Sequence, residues 1–141
     1  VYAQRYKPKA IIDVATLTGA ALIALGQVAT AVLGNDRDLI ENLKVAGQRS
    51  FERLWELPLW EEFEELIRTP IADIKNSGGK HGGTITAATF LKHFVDETPW
   101  AHLDIAGTSY LDKAEGYRSQ GGTGVGVRLL IEYLRGQIAK H

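Results

Sequence analysis

Two stretches decide the fold: IIDVATLTGA over Ile11–Ala20 and WAHLDIAGT over Trp100–Thr108. Each is an apolar run of strand length that breaks on a small residue or a glycine. In an α/β protein such breaks fall at strand ends, where ligands are bound. The glycine-rich loop NSGGKHGGT, residues 76–84, lies between them in the chain. The pattern therefore predicts one pocket built from three segments.

Outward from these stretches the periodicity alternates. Ala10–Ala15 is a continuous apolar run around Asp13, which reads as a strand covered on both faces. Thr18–Leu25 reads as a short helix and Val28–Leu33 as a second buried strand. Asn35 or Asp36 can N-cap a helix whose apolar positions Leu39, Ile40, Leu43 and Ala46 follow helical spacing. Trp55–Leu59 reads as a short strand or a turn at Pro58, and Glu61–Ile67 as an acidic amphipathic helix. After the glycine-rich loop, Thr84 can cap a helix carrying Ile85, Ala88, Leu91 and Phe94 on one face. Ala101–Ile105 is the next strand and Thr108–Gly124 is irregular. Val125–Ile138 reads as a closing helix with Val127, Leu130, Ile131 and Leu134 inward. At the other end, Val1–Tyr6 reads as the last turns of a helix ended by Pro8. Strands alternating with helices imply an α/β fold with a parallel or mixed sheet, read as one domain over residues 1–141.

Composition bounds the function. The chain has 141 residues, 45% hydrophobic and 23% charged, with a formal net charge of −1. That balance gives no electrostatic case for nucleic acid or an anionic membrane. No apolar run approaches the roughly 18 residues that a membrane span needs. Cysteine is absent, which removes disulfides and thiolate metal sites and fits a reducing compartment, so a cytoplasmic location is expected. The chain opens on Val1 within helix-like sequence and reads as a piece cut from a longer polypeptide.

No cluster of side chains is spaced to do chemistry alone. In the loop Gly78–Thr84, Lys80 is followed by His81 rather than by Ser or Thr after the last glycine, so the phosphate-cradling pattern fails. A pocket wall, a subunit contact and a flexible connection remain as readings of that loop. In Gly121–Gly126 the dinucleotide spacing fails because position 127 is Val, and close packing at the start of a helix is the simpler reading. The histidines, His81, His93, His102 and His141, do not pair at ligand spacing. His102 and Asp104 share one strand face, which suits structural hydrogen bonding. A relay of Ser109, His102 and Asp104 lacks the elbow motif, and one strand cannot place all three members. Asp13 reads as an acceptor of backbone hydrogen bonds. The run Glu61, Glu62, Glu64 and Glu65 reads as a solvated helix face, and Trp55, Trp60 and Trp100 as core or subunit-contact residues.

Taken in order, Ile11–Gly26, Leu54–Trp60, Ile71–Val95, Trp100–Tyr110 and Gly121–Leu134 resemble the leucyl (cytosol) aminopeptidases, a family of dinuclear metal exopeptidases. DVATLTGA and WAHLDIAG are the specific parts of that resemblance. It implies a three-layer α/β/α catalytic domain with a central twisted mixed sheet, of which this chain is the C-terminal portion. It implies removal of N-terminal residues from peptides by a water activated on two divalent metal ions, zinc or manganese, usually in a homo-hexamer. The family's metal ligands are a lysine and several carboxylates, some within an N-T-D-A-E-G-R motif that does not occur here. The resemblance therefore places metal binding and catalytic residues in an upstream part of the same protein. It implies no metal on this chain and no activity from it alone.

Pocket residues carry over position by position. On the match, Thr16 is wall, Leu17 offers its carbonyl to the substrate amine or amide, and Gly19 offers its N–H. Ala106 matches the floor of the pocket for the first side chain, and Ser109 the position that closes it. Asn76 and Ser77 fall where relatives place an apolar residue of the second pocket. The alternative reading is a non-catalytic assembly or DNA-binding role.

Overall fold

A computed structural model describes residues 1–138. His141 lies outside the described residues. Strands β1 (Ile11–Ala15), β2 (Thr30–Gly34), β3 (Leu54–Glu56) and β4 (Trp100–Asp104) form one sheet in the order β1-β4-β2-β3. β1 runs parallel to β4, β4 antiparallel to β2, and β2 parallel to β3, so the sheet is mixed. Helices α1 (Gly19–Leu25), α2 (Arg37–Ser50), α3 (Gly83–Lys92) and α4 (Val127–Ile138) cover its two faces. A two-stranded ribbon, β5 (Tyr110–Leu111) with β6 (Gly121–Gly122), interrupts the segment expected to be irregular.

The strand residues alternate between two cores, as the pleat requires. Val32, Ala101 and Leu103 pack with Leu39, Ile40 and Leu43 of α2 and Leu129 of α4. Ala31, Leu33 and Trp100 face the other way, toward Ala21 of α1 and Ala88 of α3. The result is the expected α/β/α layering. β4 is buried along its whole length. β1 is not: Val14 is 37% exposed, and among the described residues this strand pairs with β4 on one side alone.

Several local expectations change. Residues Tyr2–Tyr6 and Glu61–Ile67 are 3-10 helices rather than α-helices. Helix α3 is capped by Gly82 in the left-handed region, not by Thr84, which is buried inside the helix. The second strand begins at Thr30, leaving Val28 exposed. Trp100 is core, whereas Trp55 and Trp60 are exposed. In α4 the inward positions are Leu129, Leu130 and Tyr133, while Val127, Ile131 and Leu134 are 60%, 46% and 58% exposed.

Candidate functional site

The registers Ala15 with Asp104 and Ala31 with Asp104 bring the C-terminal ends of β1 and β4 together with the start of β2. The two segments that leave those ends are tied by one side chain. Asp104 is 1% exposed, and its Oδ1 accepts from the N–H groups of Leu17 at 3.1 Å, Thr18 at 3.4 Å and Ala106 at 3.2 Å. Its Oδ2 accepts from the Thr18 hydroxyl at 2.6 Å. A buried carboxylate must be supplied with donors, and turns that expose backbone N–H groups are a ready source.

Thr18 extends the tie. Its Oγ1 accepts from the Ala21 N–H at 3.1 Å, which caps α1, and lies 2.9 Å from the Thr84 hydroxyl on α3. Thr18 has a single hydroxyl proton and gives it to Asp104, so Thr84 is the donor in the pair. Gly83 allows the helices to meet: a Cβ there would lie 3.1 Å from the Ala20 Cβ. Gly107 has a sharper requirement, since a Cβ would come within 2.1 Å of the Gly26 carbonyl oxygen. That close approach is why the β4 stretch ends on glycine.

A cavity of about 350 Å³ opens between the start of α1 and the glycine-rich loop, lined among others by Leu17, Thr18, Asn76, Ser77, Lys80 and Thr86. It joins two of the three expected segments. Of the site residues expected from sequence, Leu17 and Ser77 line it, and Asn76 does so as well. Ala106 is not on its wall but is linked to Leu17 through Asp104. Thr16 and Gly19 are exposed at the exit of β1, beside the cavity-lining residues. Gly19 is the first residue of α1, so its N–H has no partner within the helix. Ser109 stands apart, its N–H donating to the Ile105 carbonyl and its carbonyl accepting from the Thr123 N–H, both at 2.9 Å.

A second polar cluster on the same sheet face, with His102 buried and Asp13 partly exposed, differs from expectation. Asp13 accepts from side chains rather than from backbone: from Trp100 Nε1 at 2.6 Å and from His102 Nδ1 at 2.5 Å. His102 is therefore paired across the strands with Asp13 and not with Asp104. Its Nε2 is buried with no hydrogen-bond partner, so no relay to Ser109 is assembled. Among the described residues no three His, Cys, Asp or Glu side chains are placed to hold a metal ion. The acceptors of Asp104 and the Nδ1 of His102 are already occupied. These residues do not fit a divalent ion.

Sequence reasoning missed Asp104, Thr18 and Thr84 as organisers of this site. The available signal was an acidic residue at the last position of an otherwise apolar strand, two residues before a small-residue turn. Such a carboxylate has nowhere to find donors except the turns around it.

Residues 1–131 match the model of the cytosol aminopeptidase family, catalytic domain. A probable cytosol aminopeptidase of Geotalea uraniireducens is 62% identical over 135 residues, which is 96% of this chain and 27% of that protein. The corresponding protein of Geobacter sulfurreducens is 56% identical over 137 residues, covering 97% of this chain and 28% of its own length. The chain thus spans about a quarter of these curated relatives. A mutant of tomato leucine aminopeptidase superposes with a TM-score of 0.88 at 40% identity, over 94% of this chain and 26% of the other. A bottromycin maturation enzyme gives 0.91 at 41% identity, over 96% and 31%. No helix among the described residues is long and apolar enough to cross a membrane.

Proposed function

The chain belongs to the cytosol aminopeptidase family, and from that premise we propose that it forms substrate-pocket walls of an enzyme that releases N-terminal amino acids from peptides. The observation that carries the reading is the cavity between the DVATLTGA segment and the NSGGK loop, lined by Leu17, Asn76 and Ser77. A peptide end needs acceptors for its ammonium and amide protons and donors for its carbonyl. Here Leu17 supplies a carbonyl and Gly19 an N–H, with Thr16 as wall. Ala106 floors the pocket for the first side chain and Ser109 closes it. Asn76 and Ser77 border the pocket for the second.

The reading takes hydrolysis to depend on two divalent ions, zinc or manganese, held by residues outside this chain. This chain's residues bind and orient the peptide. The complete enzyme is read as a cytoplasmic homo-hexamer. The DNA-binding alternative gains nothing from a net charge of −1.

The test is manganese- and zinc-dependent hydrolysis of leucine p-nitroanilide. The chain alone is compared with a polypeptide that also carries an upstream portion of the length found in the relatives. Activity from the longer polypeptide alone is expected. Activity from the short chain would mean a catalytic set within it. Inactivity of both would overturn the aminopeptidase reading.

A further inference from the structure

We propose that Asp104 is the positioning residue of the substrate-binding turn: it aims the Leu17 carbonyl into the site and, through Thr18 and Thr84, locks that turn to the helix behind the second pocket. The proposal rests on the aminopeptidase reading and adds to it Asp104 and Thr84, neither of which lines the cavity.

Peptide geometry carries the first half. The carbonyl of Leu17 and the N–H of Thr18 belong to one planar peptide group. Among the described residues no peptide is cis, so the two bonds point in opposite directions. Asp104 Oδ1 grips the Thr18 N–H from the buried side at 3.4 Å and the preceding N–H, that of Leu17, at 3.1 Å. With the N–H turned toward Asp104, the Leu17 carbonyl is turned away from it. The same oxygen holds the Ala106 N–H, so a shift of the carboxylate moves the first-pocket floor as well.

Hydroxyl polarity carries the second half. Asp104 accepts only, Thr18 must donate to it, and Thr84 must then donate to Thr18. The chain of hydroxyls has one direction, set by the carboxylate, and it ends on α3. That helix begins directly after the loop bearing Asn76, Ser77 and Lys80, and its Thr86 lines the same cavity. A change at Thr84 therefore reaches the second pocket first, while a change at Asp104 reaches every segment.

The experiment uses the longer polypeptide with its metal ions, leucine p-nitroanilide, and the dipeptides Leu-Gly and Leu-Leu. Asp104→Ala is expected to lower kcat/KM on all three by about 100-fold, the scale of a loss of alignment in an active site. Asp104→Asn keeps an oxygen for the three N–H groups and is expected to recover about a tenth to a third of wild-type kcat/KM. Thr84→Val is close in shape and keeps the helix. It is expected to raise KM for the dipeptides by about fivefold, more than for the anilide, with kcat within about twofold. Thr84→Ser restores the donor and should restore KM.

A Thr84→Val enzyme that loses kcat equally on all substrates, or shows unchanged KM with no rescue by Ser, would overturn the coupling. So would an Asp104→Ala enzyme whose activity falls only in proportion to its folded fraction, measured by circular dichroism. Failure of the underlying reading shows separately, as absence of hydrolysis by the unsubstituted enzyme, and would take the proposal with it.

Discussion

Helices α2 and α4 lie side by side on one face of the sheet, and both are amphipathic in sequence, yet only α2 presents the face that its sequence announces. In α2 the buried set is Leu39, Ile40, Leu43 and Ala46, as the spacing predicts. In α4 the buried residue is Leu129, flanked by Leu130 and Tyr133, and the stripe Val127, Ile131 and Leu134 faces outward. The reason lies in how each helix is started. α2 is capped by its own preceding residue, with the Asp36 carboxylate accepting from the Leu39 N–H at 2.7 Å. α4 is gripped by a residue far upstream. The buried carboxylate of Glu52 accepts from the N–H groups of Gly126 at 3.0 Å and Leu129 at 2.9 Å, and from Arg128 Nε at 3.0 Å.

That grip fixes the rotation of α4 about its axis. Each residue turns the helix by about 100°, so a cap shifted by one residue would present another face. The Tyr117 hydroxyl, and then Glu52, hold the Arg128 guanidinium charged, above its ordinary range. Gly47 of α2 completes the contact: a Cβ there would lie 2.6 Å from the Glu52 carbonyl oxygen and 3.4 Å from Leu129 Cδ1. The lesson is that a helix apolar on two sides leaves the choice of face to a distant partner.

The comparison breaks most sharply at the buried leucines. Leu43→Ala in α2 and Leu129→Ala in α4 should each cost about 2–5 kcal/mol in urea unfolding, since both side chains are fully enclosed. A markedly smaller cost at Leu129 would restore the face read from sequence.

The caps come next. Glu52→Ala leaves two buried N–H groups without an acceptor and should destabilise by about 1–3 kcal/mol. Asp36→Ala should cost about 1 kcal/mol, the usual loss of a local helix cap. Equal effects would mean that the upstream grip on α4 is no more than an ordinary cap.

Smaller again is the outward stripe. Ile131→Ser should change unfolding free energy by less than about 0.5 kcal/mol, because the residue already meets solvent. A loss near that of Leu129→Ala would contradict the rotation.

The smallest effect concerns pH. Hydrogen bonds to Glu41 at 2.7 Å and Glu56 at 3.1 Å raise Lys44 of α2 above the ordinary lysine range. A raised folded value means that this stabilisation is present below the unfolded pKa and is lost as pH rises through the folded one. The pairs are partly exposed, so the fall in Tm across that alkaline window should be slight. Lys44→Met should flatten that share, while Tyr133 of α4, raised first by burial and then by Asp36, should leave a residual slope of the same sign.

The same division runs through the site. Leu17, Asn76 and Ser77 stand out in the sequence because distinctive short segments carry them, and the fold brings the three to one cavity. Asp104, Thr18 and Thr84 do not, since the bonds that join β4, the turn after β1 and α3 span 66 to 87 residues. Asp13 was read as a backbone acceptor because its own strand offered nothing else. The partners that it uses, Trp100 and His102, arrive with β4.

By itself the sequence determined the strand and helix alternation, the α2 face and its cap, and the segments that meet at the strand ends. These follow from periodicity and from side chains acting within a few residues of themselves. Tertiary structure alone decided that α4 turns Leu129 inward, and that one buried carboxylate ties two turns and a third helix. Those choices depend on which donors and surfaces come together when distant strands pair, and no local pattern encodes that.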